Sequence, residues 1–471
     1  MTDALTALDA TFLELEQLDE GALMSIGGVM VFDPLPGGGV PTIEQICADL
    51  LRRLGQLPRY SQKLSSTRTG GFSWPQWTED DQFAVRNHVR RAALPTPGGD
   101  AQLCEWAADF YSHRLDRTRP LWEIALIEGL EGGRWALANK THHCLVDGIG
   151  SVDVAYLLLD AEPSPKELTV AADLADETQA AWRGLLPRPP QAIAQAAQTG
   201  VHAARAGLHA ALHPREALAR SRSLAELILR DEIVAAPRVS INVPIGATRR
   251  FAVVKAPLAE LKAIGRELGG SVNDVVLAAC TTGLRRLLLA RGDELPSRGL
   301  RAMVPMNVRA ISEQLALGNR VSSLFVELPV AEPNAKARLE KLVTATRRLK
   351  TSGAAGGATT ALDLAALAPP VLHAAIARSL YSSRLFNVTI TNVPGPQLRL
   401  YAFGALLREI QPIVPLAAEH AVGIAIFSYN GLVVFGVNAD RNSTPDLDAL
   451  PDGIERGLEE LRALAPSVDA V

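Results

Sequence analysis

Hydrophobic and polar positions recur with two different periods along the chain, and these periods predict a mixture of helices and strands. Apolar residues return at helical spacing in TIEQICADLLRRL (42–54) and in KARLEKLVTATRRLKTSG (336–353). Short apolar runs bounded by turn residues predict strands. These runs are MSIGGVMVFD (24–33), PLWEIALIEGL (120–130), RWALANKT (134–141), LRAMVPMNV (300–308), SSLFVELPV (322–330) and LFNVTITNVPGP (385–396).

Two local signals add detail to the second half of the chain. In AVGIAIFSYNGLVVFGVNAD (421–440), the dipeptide Asn430-Gly431 separates two strand-like runs. Asn and Gly tolerate the positive φ angles of a type I′ turn, so this stretch predicts a β-hairpin. Ser271 and Asp274 fit the S-x-x-D capping box at the start of a helix, SVNDVVLAACTTGLRRLLLARG (271–292).

Composition changes in the middle of the chain and suggests where the domains divide. Residues 163–243 are dominated by alanine, arginine and proline, and their weak periodicity predicts a partly helical linker. A chain of 471 residues also exceeds the usual range of one compact core. We therefore expect two related α/β domains of similar size, at 1–162 and 244–471, that face each other.

The charge balance and the N-terminus narrow the classes of function. Lys and Arg number 47 against 51 Asp and Glu, so there is no electrostatic case for nucleic-acid binding. The acidic N-terminus lacks the pattern of a signal peptide, and no uncharged apolar run is long enough to span a bilayer. We expect a cytoplasmic protein whose four widely spaced cysteines are reduced thiols and whose membrane contact, if any, is peripheral.

The stretch NKTHHCLVDGIG (139–150) holds the densest group of reactive side chains. Zinc needs three or four ligands, and adjacent histidines on a strand point to opposite faces, so one strand offers a metal either His142 or His143. The chain has no H-E-x-x-H or C-x-x-C pattern to complete a ligand set. The sequence therefore does not predict a metal site.

Other catalytic motifs are also missing from the sequence. There is no G-x-S-x-G nucleophile elbow, no P-loop and no G-x-G-x-x-G turn. A histidine acting as general base remains, because imidazole accepts a proton from an alcohol at neutral pH. The alternative is structural, with Asp147 capping a helix and Gly148 and Gly150 forming a turn. The local pattern alone leaves the two interpretations evenly balanced.

Motifs elsewhere in the chain favour the catalytic interpretation. HHCLVDG fits HHxxxDG and resembles the active-site motif of CoA-dependent acyltransferases and of peptide-synthetase condensation domains. With LDATFLELE (8–16), PLW (120–122), NDVVLA (273–278) and NVPGP (392–396), it resembles the bacterial wax ester synthase/diacylglycerol acyltransferase family over almost the whole chain. The resemblance implies two chloramphenicol-acetyltransferase-like domains, each a mixed sheet with flanking helices, and an active-site channel between them.

The resemblance also implies a mechanism and assigns roles around the motif. His143 is the implied general base, which deprotonates an acceptor hydroxyl so that it attacks the thioester of acyl-CoA directly. His142 is expected to orient or pack, since the strand turns it the other way. Asp147 is expected to hold the loop through an arginine, either Arg59 or Arg309, next to the site-supporting Gly148.

Residues of the second half complete the predicted site. The resemblance makes Asn273 and Asp274 site-supporting, although the capping box by itself explains Asp274. Thr389 and Thr391 lie with Asn387 on one polar strand face, which is expected either to bind the oxyanion or thioester or simply to meet solvent. Asn392 in NVPGP is grouped with these substrate-binding or site-supporting residues.

The function implied by the resemblance is esterification of a hydroxylated lipid with acyl-CoA as co-substrate and no other cofactor. Diacylglycerol would give triacylglycerol, and a long-chain alcohol would give a wax ester. Such products are insoluble, so we expect work at a membrane or lipid-droplet surface. Ser25 and Thr391 replace residues common in the family, a histidine and a serine. The rival hypotheses are a condensation-type enzyme using carrier-bound acyl groups and a non-catalytic lipid-droplet protein.

Overall fold

The structure is a computed structural model, and it describes residues 5, 7–54, 57–65, 75–145, 158–164, 235–307, 321–351, 378–379 and 381–465. Two six-stranded sheets dominate this part of the chain, and helices pack on them. The predicted α/β class, with mixed sheets, is confirmed.

The first sheet forms mainly from the N-terminal half. Its strands are β1 (Ser25–Phe32), β4 (Val89–Ala93), β5 (Trp122–Glu128), β6 (Trp135–His142), β11 (Tyr401–Ala402) and β12 (Ala405–Ile413). They lie in the order β11-β12-β1-β6-β5-β4. The β4 and β5 strands run parallel, whereas the other neighbours are antiparallel, so the sheet is mixed.

The second sheet forms from the C-terminal half. Its strands are β7 (Arg249–Pro257), β8 (Leu300–Asn307), β9 (Val321–Leu328), β10 (Val388–Pro394), β13 (Val422–Tyr429) and β14 (Leu432–Asp440), in the order β7-β14-β13-β10-β8-β9. The β10 strand is parallel to both of its neighbours, and the other pairs are antiparallel. A small separate sheet pairs β2 (Gln62–Leu64) with β3 (Trp77–Glu79).

Seven α-helices accompany the sheets in the described part of the chain. They are α1 (Ala7–Leu18), α2 (Ile43–Leu54), α3 (Asp100–Tyr111), α4 (Leu258–Glu267), α5 (Val272–Ala290), α6 (Ala335–Thr351) and α7 (Ala449–Ala463). The predicted amphipathic pattern explains α2, which buries Ile43, Ile46, Leu50 and Leu54 at helical spacing.

Both local signals of the second half are confirmed. Asn430 and Gly431 have φ angles of 44° and 84° and join β13 to β14 in a hairpin. Ser271 caps α5, since its hydroxyl accepts the Asp274 N–H while the Asp274 carboxylate accepts the Ser271 N–H at 2.8 Å. A two-residue turn and a capping box depend only on neighbouring residues, so sequence specifies them directly.

The two sheets do not follow the predicted domain division completely. Residues 401–413 belong to the predicted domain 244–471, yet β11 and β12 complete the first sheet, and β12 pairs with β1. Gly436 of β14 lies so close to the carbonyl of Pro412 that a Cβ would collide with it. The two halves are therefore joined by side-chain packing and by the β11–β12 hairpin, which comes from the C-terminal half but belongs to the first sheet. We call it the exchanged hairpin. Most of the predicted linker 163–243 lies outside the described residues.

None of the helices in the described residues has the length and apolar character that crossing a bilayer requires.

Candidate active site

The histidine pair lies at the end of the central strand β6. All residues of β6 are buried, and β6 pairs with β1 so that His142 stands opposite Ser25. Gly27 of β1 has a φ angle of 152°, and a Cβ there would collide with the carbonyl of Asn139. The His142 N–H donates to the carbonyl of Leu121 in PLW at 2.9 Å. The end of β6 at His142 is therefore held by β1 on one side and by Leu121 on the other.

His143 occupies an apolar setting beside helix α1. Its ring stacks on Phe12 with centroids 3.7 Å apart, and its N–H donates to the carbonyl of Met24 at 2.8 Å. Burial lowers the pKa of His143 to about 4, although a contact with its own backbone opposes this shift, and a proton on the neighbouring His142 would act in the same direction as burial. His143 is thus a neutral imidazole at pH 7, as a general base must be.

The accessible surface of His143 indicates which ring nitrogen can meet a substrate. Nδ1 is buried, and no described atom forms a hydrogen bond of normal geometry with it. The residue as a whole is only half-buried. Nε2 is therefore the ring nitrogen left to receive a proton from outside.

His142 is held in a different way, and its Nδ1 is already engaged. Its Nδ1 accepts the Cys144 N–H at 3.1 Å, so in the neutral ring the proton sits on Nε2. That Nε2 lies 3.6 Å from a carboxylate oxygen of Glu16, a charge contact slightly longer than a hydrogen bond. His142 is only 1% exposed. It cannot act as a base without giving up the Cys144 contact, so the geometry favours His143.

Glu16 is a site residue that the sequence did not single out. Its carboxylate receives a hydrogen bond from Arg117 at 2.7 Å and another from the Met24 N–H at 3.3 Å. Burial alone would raise its pKa, but the contact with His142, together with the hydrogen bond and the charge of Arg117, lowers it to about 2. Glu16 is therefore an anion throughout the physiological range.

Helix α1 contacts both histidines from one face. Phe12 stacks on His143, and Glu16, four residues further on, faces His142. The expectation that the two histidines diverge assumed that both belong to the strand. Because β6 ends at His142 and His143 lies in the following turn, strand alternation does not apply, and both rings reach the same helix. The expectation was wrong on this point.

Cys144 is unsuited to nucleophilic chemistry although it follows the histidines. The side chain is buried, and burial raises the pKa of its thiol well above the usual value. A thiol held protonated in this way is a weak nucleophile. Its backbone N–H, which fixes the tautomer of His142, is the part of Cys144 that contributes to the site.

The expected roles of Asp147 and Gly148 lie outside the described residues, as does Arg309. The other predicted arginine, Arg59, places its guanidinium 4.9 Å above the ring of Trp77. The loop-holding ion pair of Asp147 stays a prediction.

Asn273 and Asp274 at the start of α5 have separate roles. The Asp274 carboxylate is taken up by hydrogen bonds from Ser271 and from Thr346, whose hydroxyl donates at 2.7 Å. Asn273 instead accepts a hydrogen bond at 3.0 Å from the side chain of Asn392 on β10. The NDVVLA and NVPGP motifs are therefore in contact through Asn273 and Asn392. Asp274, by contrast, stabilises the N-terminus of α5.

The polar face predicted on β10 is partly used inside the protein. Asn387 is fully buried and bonds to Asn242, to the Pro237 carbonyl and to the Arg301 N–H, so its role is structural. Thr389 is buried and Thr391 is half-buried. Their binding of substrate stays a prediction.

Sequence reasoning missed Phe12, Glu16 and Arg117. LDATFLELE carried the family resemblance, but no chemistry was assigned to it. The available signal was a glutamate four positions after Phe12, on a helix whose neighbouring positions are mostly apolar. A buried carboxylate requires partners, and the adjacent histidines of HHxxxDG were candidates.

Two family models match the chain. The catalytic domain of wax ester synthase/diacylglycerol acyltransferase matches residues 5–276, and the WS/DGAT C-terminal domain matches residues 317–462. The probable diacylglycerol O-acyltransferase tgs1 of Mycobacterium tuberculosis is 32% identical, with 98% of this chain and 96% of the relative covered. The tgs2 protein of the same organism is 31% identical, with 98% of each covered.

Solved structures agree with the family models. The wax ester synthase/diacylglycerol acyltransferase from Marinobacter aquaeolei VT8 superposes with a TM-score of 0.69 at 27% identity, covering 98% of this chain and all of that one. The starter condensation domain of rhizomide synthetase superposes with a TM-score of 0.58 at 14% identity, covering 99% of this chain and 95% of that one. At this level of identity, the similarity shows a shared fold and nothing more. The chain therefore belongs to the wax ester synthase/diacylglycerol acyltransferase family.

Proposed function

We propose that this protein transfers the acyl group of acyl-CoA to a hydroxylated lipid, with His143 as the general base. The observation that carries the proposal is the contrast within the histidine pair. His142 is buried with Nδ1 occupied, whereas His143 is neutral, half-buried and without a hydrogen-bond partner on its ring among the described residues. The family relatives named as diacylglycerol O-acyltransferases support the substrate class.

The chemistry follows from a neutral base and an alcohol. The acceptor hydroxyl gives its proton to His143 while its oxygen attacks the thioester carbonyl of acyl-CoA. The tetrahedral oxyanion collapses, the carbon–sulfur bond breaks, and the departing CoA sulfur takes up the proton from His143. The acceptor is diacylglycerol, giving triacylglycerol, or a long-chain alcohol, giving a wax ester. Acyl-CoA is the co-substrate, and the step needs no metal and no further cofactor.

The remaining residues support this step. Asp147 and Gly148 keep the loop-supporting role that the family motif implies for them, while Asn273 and Asn392 join the two motifs of the C-terminal half. Thr389 and Thr391 are placed on β10, where they would donate hydrogen bonds to the oxyanion or the thioester.

The protein works at a membrane or lipid-droplet surface within the cytoplasm. Both the acceptor and the ester product are insoluble in water, so catalysis requires that the enzyme meet a lipid phase. Peripheral contact is sufficient for this purpose.

The test is acyl transfer by purified protein with palmitoyl-CoA and either dipalmitoylglycerol or hexadecanol. We expect thiol release that depends on the acceptor, together with formation of the ester. His143→Ala should lower the rate by about 10²- to 10⁴-fold, the usual contribution of a general base. His142→Ala should be milder. Transfer only from a carrier-bound donor would favour the condensation-type rival, and lipid binding without turnover would favour the non-catalytic one.

A further inference from the structure

Tyr381, from the opposite half of the chain, contacts the same aromatic ring that stacks on the candidate base. Its ring packs edge-on against Phe12, with centroids 6.3 Å apart, and Phe12 in turn stacks on His143. Phe12 and His143 come from the N-terminal half and Tyr381 from the C-terminal half. A single aromatic ring thus separates Tyr381 from the base.

The surroundings of Tyr381 are apolar on both sides. On one side it packs against a cluster that contains Phe12 and Met24, whose carbonyl holds the His143 backbone. On the other it packs against a cluster that contains Met303 and Phe386. It therefore joins two apolar groups, one of which borders the base.

The hydroxyl of Tyr381 differs from those of two other buried tyrosines. Tyr111 donates to the carbonyl of Asn139, and Tyr429 accepts the Leu400 N–H at 2.8 Å. No described group forms a hydrogen bond with Tyr381, and burial is the sole cause that raises its pKa to about 12. The hydroxyl is a protonated donor with no acceptor among the described residues, so it is available to donate to a bound substrate.

The residue nevertheless keeps part of its surface accessible, as His143 does. Desolvation shifts the pKa of both groups, so both lie deep in the protein. Both side chains also contact Phe12, so their accessible surfaces lie beside the same ring. The part of a substrate that can meet Tyr381 is therefore the group of atoms next to the hydroxyl bound at His143.

The chemistry of the acceptor suggests what the phenol meets. In diacylglycerol, the two glycerol carbons that do not bear the free hydroxyl carry ester groups, whose carbonyl oxygens accept hydrogen bonds. A fatty alcohol has no acceptor at these positions. We propose that the Tyr381 hydroxyl donates a hydrogen bond to an ester carbonyl of diacylglycerol bound at His143, and so favours this acceptor over simple alcohols. The inference rests on the proposed function and specifies its acceptor.

The experiment compares Tyr381→Phe with wild type on two matched acceptors, dipalmitoylglycerol and dihexadecylglycerol. The second keeps both chains and the free hydroxyl, but ether links replace the esters. We expect wild type to favour the diester in kcat/KM by about 3- to 10-fold, the range of one hydrogen bond. Tyr381→Phe should remove this preference by slowing the diester reaction while the diether reaction stays unchanged.

Phenylalanine keeps the ring that packs on Phe12, so an unchanged melting temperature separates the hydroxyl from packing. Tyr401→Phe, which removes a phenol from β11, should leave the preference intact. Equal losses on both acceptors, or an undiminished preference for the diester, would overturn the inference. Wild-type transfer to hexadecanol but to neither glycerolipid would also overturn it and leave the proposed acyltransferase function standing. No transfer to any acceptor would refute both.

Discussion

The protonation state of one imidazole decides whether the candidate site can work at neutral pH. His143 must be neutral to accept a proton, and its apolar setting against Phe12 keeps it neutral. An unperturbed histidine, with a pKa near 6.5, would be about nine-tenths protonated at pH 5.5. His143, with a pKa of about 4, would remain almost entirely neutral there.

We therefore expect kcat/KM to be nearly flat from pH 7 down to pH 5.5 and to fall only as the pH approaches 4. The acid limb of kcat/KM reports the base of the free enzyme, so initial rates at low acyl-CoA and low acceptor measure it. Circular dichroism at each pH checks that the protein stays folded. An acid limb centred near 6.5 would show that the base is solvated and that the apolar setting does not control it.

Substitution of Glu16 tests whether the negative charge of its carboxylate positions the two histidines. Glu16→Gln keeps the size of the side chain but leaves Arg117 and His142 facing a neutral amide. Loss of one charge-assisted contact should lower kcat by about 10- to 100-fold, with the KM for acyl-CoA little changed. Steady-state kinetics measure this split between kcat and KM.

The matched control is Glu20→Gln, which removes the same charge from an exposed position two residues after the end of α1. It should leave both constants unchanged. Equal rates for Glu16→Gln and wild type would mean that α1 holds the histidines by packing alone.

At the scale of elements, the cap of α5 offers a test that is separate from catalysis. Ser271→Ala removes the hydroxyl that accepts the Asp274 N–H and donates to its carboxylate. Loss of such a cap should lower the free energy of unfolding by about 1 kcal/mol. Urea denaturation measures it, and Ser297→Ala at an exposed position serves as the control. A fall in the free energy of unfolding of less than a few tenths of a kcal/mol would show that the capping box does not stabilise α5.

Elements specified by neighbouring residues were the most predictable part of the fold. The Asn430-Gly431 hairpin, the Ser271 cap and the amphipathic α2 each depend on a short window of sequence. The exchange of β11 and β12 into the first sheet was not predictable in this way. It depends on pairing between Val29 and Gln411, which are far apart in sequence. The hydrophobic periodicity of either segment does not indicate which strand it pairs with.

The candidate site shows the same division. HHxxxDG identified His143 because the chemistry of a base is carried by the residue itself. Phe12 and Glu16 act through contacts with residues more than a hundred positions away, and only the folded chain reveals them. The alternation rule failed at His143 because a strand end is the least certain boundary to read from sequence.

At the scale of the whole molecule, one buried arginine ties the two halves together near the site. Arg249 begins β7 and is 2% exposed, and its guanidinium donates to the carbonyl of Gly21 in the N-terminal half. Its N–H donates to the Ser112 hydroxyl at 2.9 Å, and Asp440 lies 3.9 Å away. Burial lowers the pKa of Arg249 to about 10, against the opposing charge of Asp440, so it stays a cation.

Replacing Arg249 should therefore destabilise the N-terminal half although the residue belongs to the other half. Arg249→Met leaves the Gly21 carbonyl and the Asp440 carboxylate without this partner, and unsatisfied buried groups cost about 1–3 kcal/mol each. Five of the six tryptophans lie between residues 74 and 135, and the sixth is Trp182 of the predicted linker. Tryptophan fluorescence therefore follows mainly the N-terminal half, whereas far-UV circular dichroism follows both halves.

In wild type, the two urea transitions should coincide if the halves unfold together. In Arg249→Met, the fluorescence transition should move to lower urea than the circular dichroism transition, because the tie that couples the halves is gone. The control is Arg250→Met, since Arg250 pairs with Asp448, whose side chain is 76% exposed, and such a pair contributes about 0–1 kcal/mol. Coincident transitions in Arg249→Met, shifted no further than in the control, would mean that the exchanged hairpin couples the halves without help from Arg249.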